Sequence, residues 1–158
     1  MKIIVMSDSH GKTGSLLDIG FTHNNADAFL FLGDGWRDFY DFKSAFDNKC
    51  CISVRGNCDL GCDDDCEKII FLGNKKIFMA HGHTYSVKSG IGGMVAQAKR
   101  QNCDIMLYGH THIALEDYRD GMYILNPGSV GRGGFEKNSY GLIEITPAGI
   151  LTNIIKLD

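Results

Sequence analysis

Short apolar runs that stop at a glycine beside an acidic, amide or imidazole side chain constrain this chain most. The run 3–6 leads into Ser7-Asp8-Ser9-His10, 28–32 into Gly33-Asp34-Gly35, and 50–54 into Arg55-Gly56-Asn57-Cys58-Asp59. Between them, Leu16, Leu17, Gly20 and Phe21, then Phe39, Phe42 and Phe46 with Tyr40 beside them, recur at near-helical spacing. A β-α-β-α-β order of this kind implies an α/β fold with a parallel sheet and right-handed crossovers. Ligands in such sheets gather beyond the carboxyl ends of the strands.

The second half is richer in strand. Runs 68–72 and 76–80 flank Gly73-Asn74, a hairpin signal, and the second ends at His81-Gly82-His83. Ile91, Met94, Val95 and Ala98 predict a helix over about 89–100. Run 105–108 ends at Gly109-His110-Thr111-His112. In an extended segment these two histidines, at i and i+2, face the same way. Runs 113–119 and 122–125 flank Asp120-Gly121, a strong hairpin dipeptide. After Asn126-Pro127-Gly128-Ser129 and the stretch Gly131-Arg132-Gly133-Gly134, runs 140–145 and 150–157 make a last hairpin.

The 158 residues suit a single domain, 1–158, and 44% hydrophobic content suits a globular core. With a net charge of -3 and no basic cluster longer than a pair such as Lys75-Lys76, no nucleic-acid partner is expected. No apolar run approaches the roughly 20 residues of a membrane span, and the first six residues are too short for a signal-peptide core. A cytoplasmic location is therefore expected, with six free thiols rather than disulfides. Cys58, Cys62 and Cys66 are evenly spaced but lack the fourth ligand of a structural zinc site.

Asp8, His10, Asp34, Asn57, His81, His110 and His112 thus share one structural position. Each has an ordinary reading alone: a helix cap, a turn former, a solvent-facing strand end. Together they predict a convergent site, with flanking glycines permitting close backbone approach. Imidazole, carboxylate and amide oxygen suit Mn, Fe, Ni, Co or Zn better than Ca or Mg. Seven ligands are too many for one transition ion with open positions and fit two ions sharing a carboxylate.

Asp8-Ser9-His10, Gly33-Asp34, Gly56-Asn57-Cys58-Asp59, His81-Gly82-His83 and Gly109-His110-Thr111-His112 resemble, in order, the motif set of the calcineurin-like metallophosphoesterases. The Gly-Asn-Cys-Asp form and the Asn-Pro-Gly-Ser turn resemble most the small YfcE-type phosphodiesterase branch. The resemblance implies a four-layer α/β/β/α sandwich of two mixed sheets. It implies Asp8, His10 and His112 on one metal, Asn57, His81 and His110 on a second, and Asp34 bridging both. Two divalent ions, manganese first, would generate hydroxide from a bridging water to attack a small-molecule phosphodiester. The branch often forms homo-oligomers, dimers or tetramers, although no stripe here identifies an interface.

Asn57, Cys58, Asp59 and His83 are the further catalytic candidates. Many family members carry histidine at the position of Cys58, where it is thought to protonate the leaving group or bind phosphate. A thiol is a weak donor, and nearby cations would make it a thiolate. Good leaving groups, or another acid such as His83, are therefore expected, unless Cys58 is simply a small buried residue. Asp59 either orients the loop or closes an Asx turn. Arg132 either meets substrate oxygens or is a solvated loop charge, Trp36 either walls the cleft or caps the core, and His23 reads as a surface residue. Two other functions compete: a metal-dependent nuclease, disfavoured by the charge, and a non-catalytic scaffold. One eukaryotic retromer subunit resembles the fold with a degraded metal set and works by protein contact, whereas the ligand set here is complete.

Overall fold

The structure, a computed structural model, describes residues 1–157 apart from Gly133 and Phe135. Gly133 of the glycine-rich stretch and Asp158 of the expected 1–158 unit lie outside the described residues. Strand β1 (Lys2–Met6), helix α1 (Thr13–Thr22), β2 (Ala28–Phe31), α2 (Trp36–Ala45) and β3 (Cys50–Ser53) follow the expected alternation. Their three strands pair in parallel, Ile3 beside Ala28 and Ala28 beside Cys50. Next come β4 (Glu67–Leu72), β5 (Lys75–Ala80), α3 (Gly92–Arg100), β6 (Ile105–Tyr108), β7 (Leu115–Arg119) and β8 (Met122–Asn126). The last elements are β9 (Ser139–Thr146) and β10 (Gly149–Lys156).

Two five-stranded mixed sheets result, with orders β10-β9-β1-β2-β3 and β4-β5-β6-β8-β7. Successive side chains on a strand point to opposite faces, and here both faces are buried. On one face Ile3, Val5 and Leu30 of the first sheet meet Ile77, Met79, Ile105 and Leu107 of the second. On the other, Ile4, Met6, Phe29 and Phe31 pack on Leu16 and Ile19 of α1 and on Phe39 and Phe42 of α2. Phe78, Met106 and Ile124 turn outward onto Met94, Val95 and Ala98 of α3. The layers are therefore α/β/β/α. The aromatic ladder of α2 is central to this packing, with the Phe39 and Phe42 rings 5.4 Å apart and both buried.

Several local expectations give way. Ile19, not Phe21, joins Leu16 and the expected Gly20 on the core face of α1, because Phe21 sits a little too far round the helix and stays 65% exposed. His23 is buried rather than on the surface, since α1 ends against β9, where its Nε2 lies 2.8 Å from the Tyr140 hydroxyl. Helix α3 starts at Gly92, not 89, because a short 3-10 turn at His83–Tyr85 and the Ser89-to-Ser86 backbone bond occupy the approach. Strand β7 starts at Leu115, since the Ile113 N–H is taken by the Thr111 hydroxyl. Among the described residues no helix is long and apolar enough to cross a membrane.

Candidate metal centre

The carboxyl ends of β1, β2 and β3 meet those of β5 and β6 at one seam, and hydrogen bonds close it. His110 N–H donates to Asp8 Oδ2 at 3.2 Å, and Gly109 N–H donates to the His81 carbonyl at 3.0 Å. The expected Asn-Pro-Gly-Ser turn lies across Asp8, whose carbonyl accepts the Ser129 hydroxyl at 2.8 Å and the Gly131 N–H at 3.1 Å. Asn126 donates to the Gly109 carbonyl and the Thr111 hydroxyl, pinning the last motif.

The backbone at this seam is left-handed. Asp8 (φ 56), His10 (φ 45), Asp34 (φ 58), His110 (φ 66) and His112 (φ 60) are five of the nine described non-glycine residues with positive φ. Such conformations cost roughly 1–3 kcal/mol each and persist only where surrounding structure holds them. His110 and His112 are consequently not neighbours on an extended segment. His110 Nδ1 turns to His81 Nε2 at 3.2 Å, and His112 Nε2 turns to His10 Nε2 at 3.3 Å.

Two donor groups form. Asp8, His10 and His112 make one; Asp34, His81 and His110 make the other, with Asn57 Oδ1 3.2 Å from His81 Nε2. Asp34 Oδ2 stands between them, 3.5 Å from His81 Nε2 and 4.0 Å from His10 Nε2. Two nitrogens each about 2.1 Å from a common ion lie roughly 3.0–3.4 Å apart at angles of 90–110°, and both imidazole pairs have that spacing.

The proton inventory also fits cations. His81 Nδ1 lies 2.7 Å from the Leu32 carbonyl and His112 Nδ1 2.8 Å from the Arg132 carbonyl. A carbonyl only accepts, so both Nδ1 atoms carry hydrogen, and in their neutral forms both rings turn Nε2 lone pairs to the site. His112 Nε2 there meets Asp8 Oδ1 at 3.1 Å, a buried carboxylate oxygen with no hydrogen-bond donor. Lone pairs converge on lone pairs, an arrangement that only positive charge stabilises.

Titration follows the same field. Burial opposes charge on Asp34, but the His81 ring and the Cys58 N–H and thiol outweigh it, holding the carboxyl well below the usual range. Burial likewise opposes protonation of His81, yet the Asp34 hydrogen bond and the charges of Asp8 and Asp34 raise it. Asp8 raises His112. Burial, then the charges of His81 and Lys88, push His110 down to about 4.

Two aspartates hold the loops. Asp59 is buried and accepts four backbone N–H bonds, from Asp34, Gly35, Trp36 and Gly56. It organises the loop and caps the start of α2, and its oxygens have no capacity left for substrate. Asp38, which sequence reasoning missed, accepts from the Ser9 and Thr13 hydroxyls and the Gly11 N–H. Only its place one turn into α2 marked it beforehand, as an acidic residue near a helix start. Backbone closeness is real at Gly56, where a Cβ would lie 2.0 Å from Asp34 Oδ1.

The other candidates lie around the centre. Cys58 is exposed, and its sulfur belongs to a third potential donor group with His10 and Asp34. Burial, then the hydrogen bond and charge of Asp34 with those of Asp59 and Asp8, push its thiol up to about 11. The chain's own groups thus oppose the thiolate expected from the sequence. The His83 ring is 5.4 Å from that of His81, and its buried Nδ1 has no partner. Arg132 contributes its carbonyl, to His112. Cys62 and Cys66 belong to no donor group among the described residues; Arg55 Nε donates to Cys66 at 3.3 Å.

Beside the centre lies a cavity of about 360 Å³ that takes in His10, Asp34 and Cys58, with Trp36 in its wall.

A model of the calcineurin-like phosphoesterase superfamily domain matches residues 1–147. The probable metallophosphoesterase YsnB of Bacillus subtilis is 30% identical over 130 residues, 82% of this chain and 75% of that protein. The phosphodiesterase YfcE of Escherichia coli is 32% identical over 103 residues, 59% of this chain and 52% of its own. A predicted phosphoesterase from Streptococcus pneumoniae superposes with a TM-score of 0.85 at 26% identity, covering 98% of this chain and 88% of that one. Vps29 of Entamoeba histolytica, solved with zinc, reaches 0.74 at 20% identity over 100% of both chains, a likeness of fold. On the sheet topology and the match across residues 1–147, this chain belongs to the calcineurin-like phosphoesterase superfamily.

Proposed function

We propose that this chain is a dinuclear-metal phosphodiesterase that hydrolyses a small-molecule phosphodiester. The observation that carries this reading is the position of Asp34 Oδ2 between two three-sided donor groups. Asp8, His10 and His112 would hold one divalent ion, Asn57, His81 and His110 the other, and Asp34 both. Manganese is the ion assigned first, on the family resemblance, and the imidazole-rich donor mix accepts Ni, Fe, Co or Zn as well. When bound, such a pair makes water acidic at neutral pH and neutralises charge on phosphoryl oxygens.

The chain's own groups do the rest. The Leu32 and Arg132 carbonyls orient two imidazoles so that their lone pairs face the centre. Asp59 holds the loop bearing Asn57 and Cys58 against Asp34, and the Cys58 N–H fixes Asp34 Oδ1 at 2.7 Å. For the departing oxygen we assign His83 as the proton source on the closeness of its ring to that of His81, with burial and the His81 charge favouring its neutral form. Cys58, a weak donor, leaves the enzyme best suited to good leaving groups.

The test is hydrolysis of bis(p-nitrophenyl) phosphate by the purified chain with added manganese, using Asp34→Asn as control. Turnover should appear with metal, and the variant should lose more than the ~10–100-fold typical of removing an outer-sphere partner. Bound metal without hydrolysis of diesters or monoesters would overturn the catalytic reading in favour of a scaffold.

A further inference from the structure

The cavity beside the metal centre has a composition that the phosphodiester chemistry does not require. Besides His10, Asp34 and Cys58, its wall includes Trp36, Arg37 and Leu60. Its volume of about 360 Å³ falls at the small end of ligand pockets, roughly 300–1,000 Å³. Two acids also line it, but neither is available to a ligand. Asp59 is saturated by four N–H bonds, and Asp38 is buried and already accepts from two hydroxyls and an N–H. What remains open to a guest is a half-buried indole, a leucine and a guanidinium.

Their placement suits a guest. Leu60, 84% exposed, adds apolar surface to the wall beside the indole. The indole is anchored at its root, because the Trp36 N–H is held by Asp59 at 3.0 Å. The Arg37 guanidinium stands 5.3 Å from the indole centroid and has no ion-pair partner among the described residues. A cation left over an aromatic face, with free N–H donors at a pocket rim, suits a flat ring with acceptor atoms at its edge.

We infer that the Trp36–Leu60 pocket binds a flat aromatic group esterified to the scissile phosphate, stacked on Trp36 with its edge acceptors at Arg37. This makes Trp36 a specificity-determining residue. The inference rests on the phosphodiesterase reading for the placement of the phosphate at the adjoining centre. Two sources share the chemistry, a nucleoside and a simple aryl alcohol, and the edge contacts to Arg37 separate them.

Trp36 is the chain's single tryptophan, so its emission reports binding at this indole. The experiment titrates the zinc-loaded full chain with phenyl phosphate, adenosine 5′-monophosphate, methyl phosphate and inorganic phosphate, following Trp36 fluorescence and calorimetric affinity. The two aromatic esters should quench Trp36 and bind about tenfold more tightly than methyl phosphate. Trp36→Ala should remove that difference, bringing the aromatic esters level with methyl phosphate, and Trp36→Phe should restore most of it. A preference for the adenosine ester that Arg37→Ala abolishes assigns a nucleoside; equal binding of both aromatics assigns an aryl group. Equal quenching by methyl and phenyl phosphate, or an unchanged preference in Trp36→Ala, would overturn the inference. Affinity for these monoesters is read separately from diester turnover, so aromatic preference with no diester hydrolysis would overturn the catalytic reading alone. Hydrolysis without aromatic preference would overturn the pocket alone.

Discussion

The hairpin turns and the metal-centre loops share a left-handed backbone but hold it by different means. At Gly73-Asn74 (φ 55 and 60) and Asp120-Gly121 (φ 49 and 86) the conformation belongs to two-residue turns whose twist matches the flanking strands. The residues there tolerate it, and nothing distant is needed. At Asp8, His10, Asp34, His110 and His112 the chain puts carboxylates and imidazoles into the same region, where only tertiary bonds keep them. Asp8 takes its N–H bond to the Gly33 carbonyl, and His10 its own to the Asp34 carbonyl. Strain at the hairpins is local and small, whereas strain at the centre is collective and aims side chains.

That contrast can be broken most sharply at Gly56. A methyl group there meets Asp34 Oδ1 at 2.0 Å, backbone against a fixed carboxylate. Gly56→Ala should therefore lower hydrolysis by about 10²-fold or more while circular dichroism stays native. Retained activity would show that Asp34 has freedom the loops are argued to deny it.

Asp59→Ala is next in size. It strips the acceptors from four backbone N–H groups, each worth about 1–3 kcal/mol if left buried and unpaired. Water entering the gap softens the loss, so a drop of about 3 kcal/mol in denaturant stability is expected, with metal affinity weakened about 10–100-fold. A variant with normal stability and weak metal binding would show that Asp59 acts on the centre without holding its loops.

At the hairpins the effects should be small and confined to stability. Asn74→Ala removes the short polar side chain that eases φ 60 in an exposed turn, at a cost of about 1 kcal/mol with turnover unchanged. A change in turnover would mean that the far hairpin and the centre are coupled.

His23 gives the smallest effect. Burial, then the Lys2 charge, lower its pKa from the ordinary 6.5, so the folded chain favours the neutral ring. The unfolded chain then binds more protons near and below 6.5, and stability contributed by neutral His23 is lost as pH falls through that range. Melting temperature should fall slightly more between pH 7 and 5 in the parent than in His23→Phe. Parallel curves would place the acid sensitivity elsewhere.

Much of this was legible in the sequence. The parallel β1-β2-β3 unit followed from apolar runs separated by helical spacing, and both tight hairpins from their dipeptides. The seven candidate ligands could be named because each follows a strand, and the structure brings all seven together. What escaped depends on contacts distant in sequence. Asp38 carried only the weak mark of an acidic residue near a helix start; its role lies in the hydroxyl and N–H groups that reach it. Burial of His23 required Tyr140, 117 positions away. The two-residue spacing of His110 and His112 implied a shared direction, but the left-handed turn that sends them to different donor groups depends on Asp8 across the seam.

The central claim, that converging lone pairs around Asp34 hold two divalent ions, is tested most directly by counting metal. Chains dialysed against manganese and then against buffer are assayed for bound metal by atomic emission. The account predicts two ions per chain in the parent, one in His112→Ala, and loss of tight binding at both positions in Asp34→Asn. A single ion in the parent, or two tightly held ions in Asp34→Asn, would contradict it.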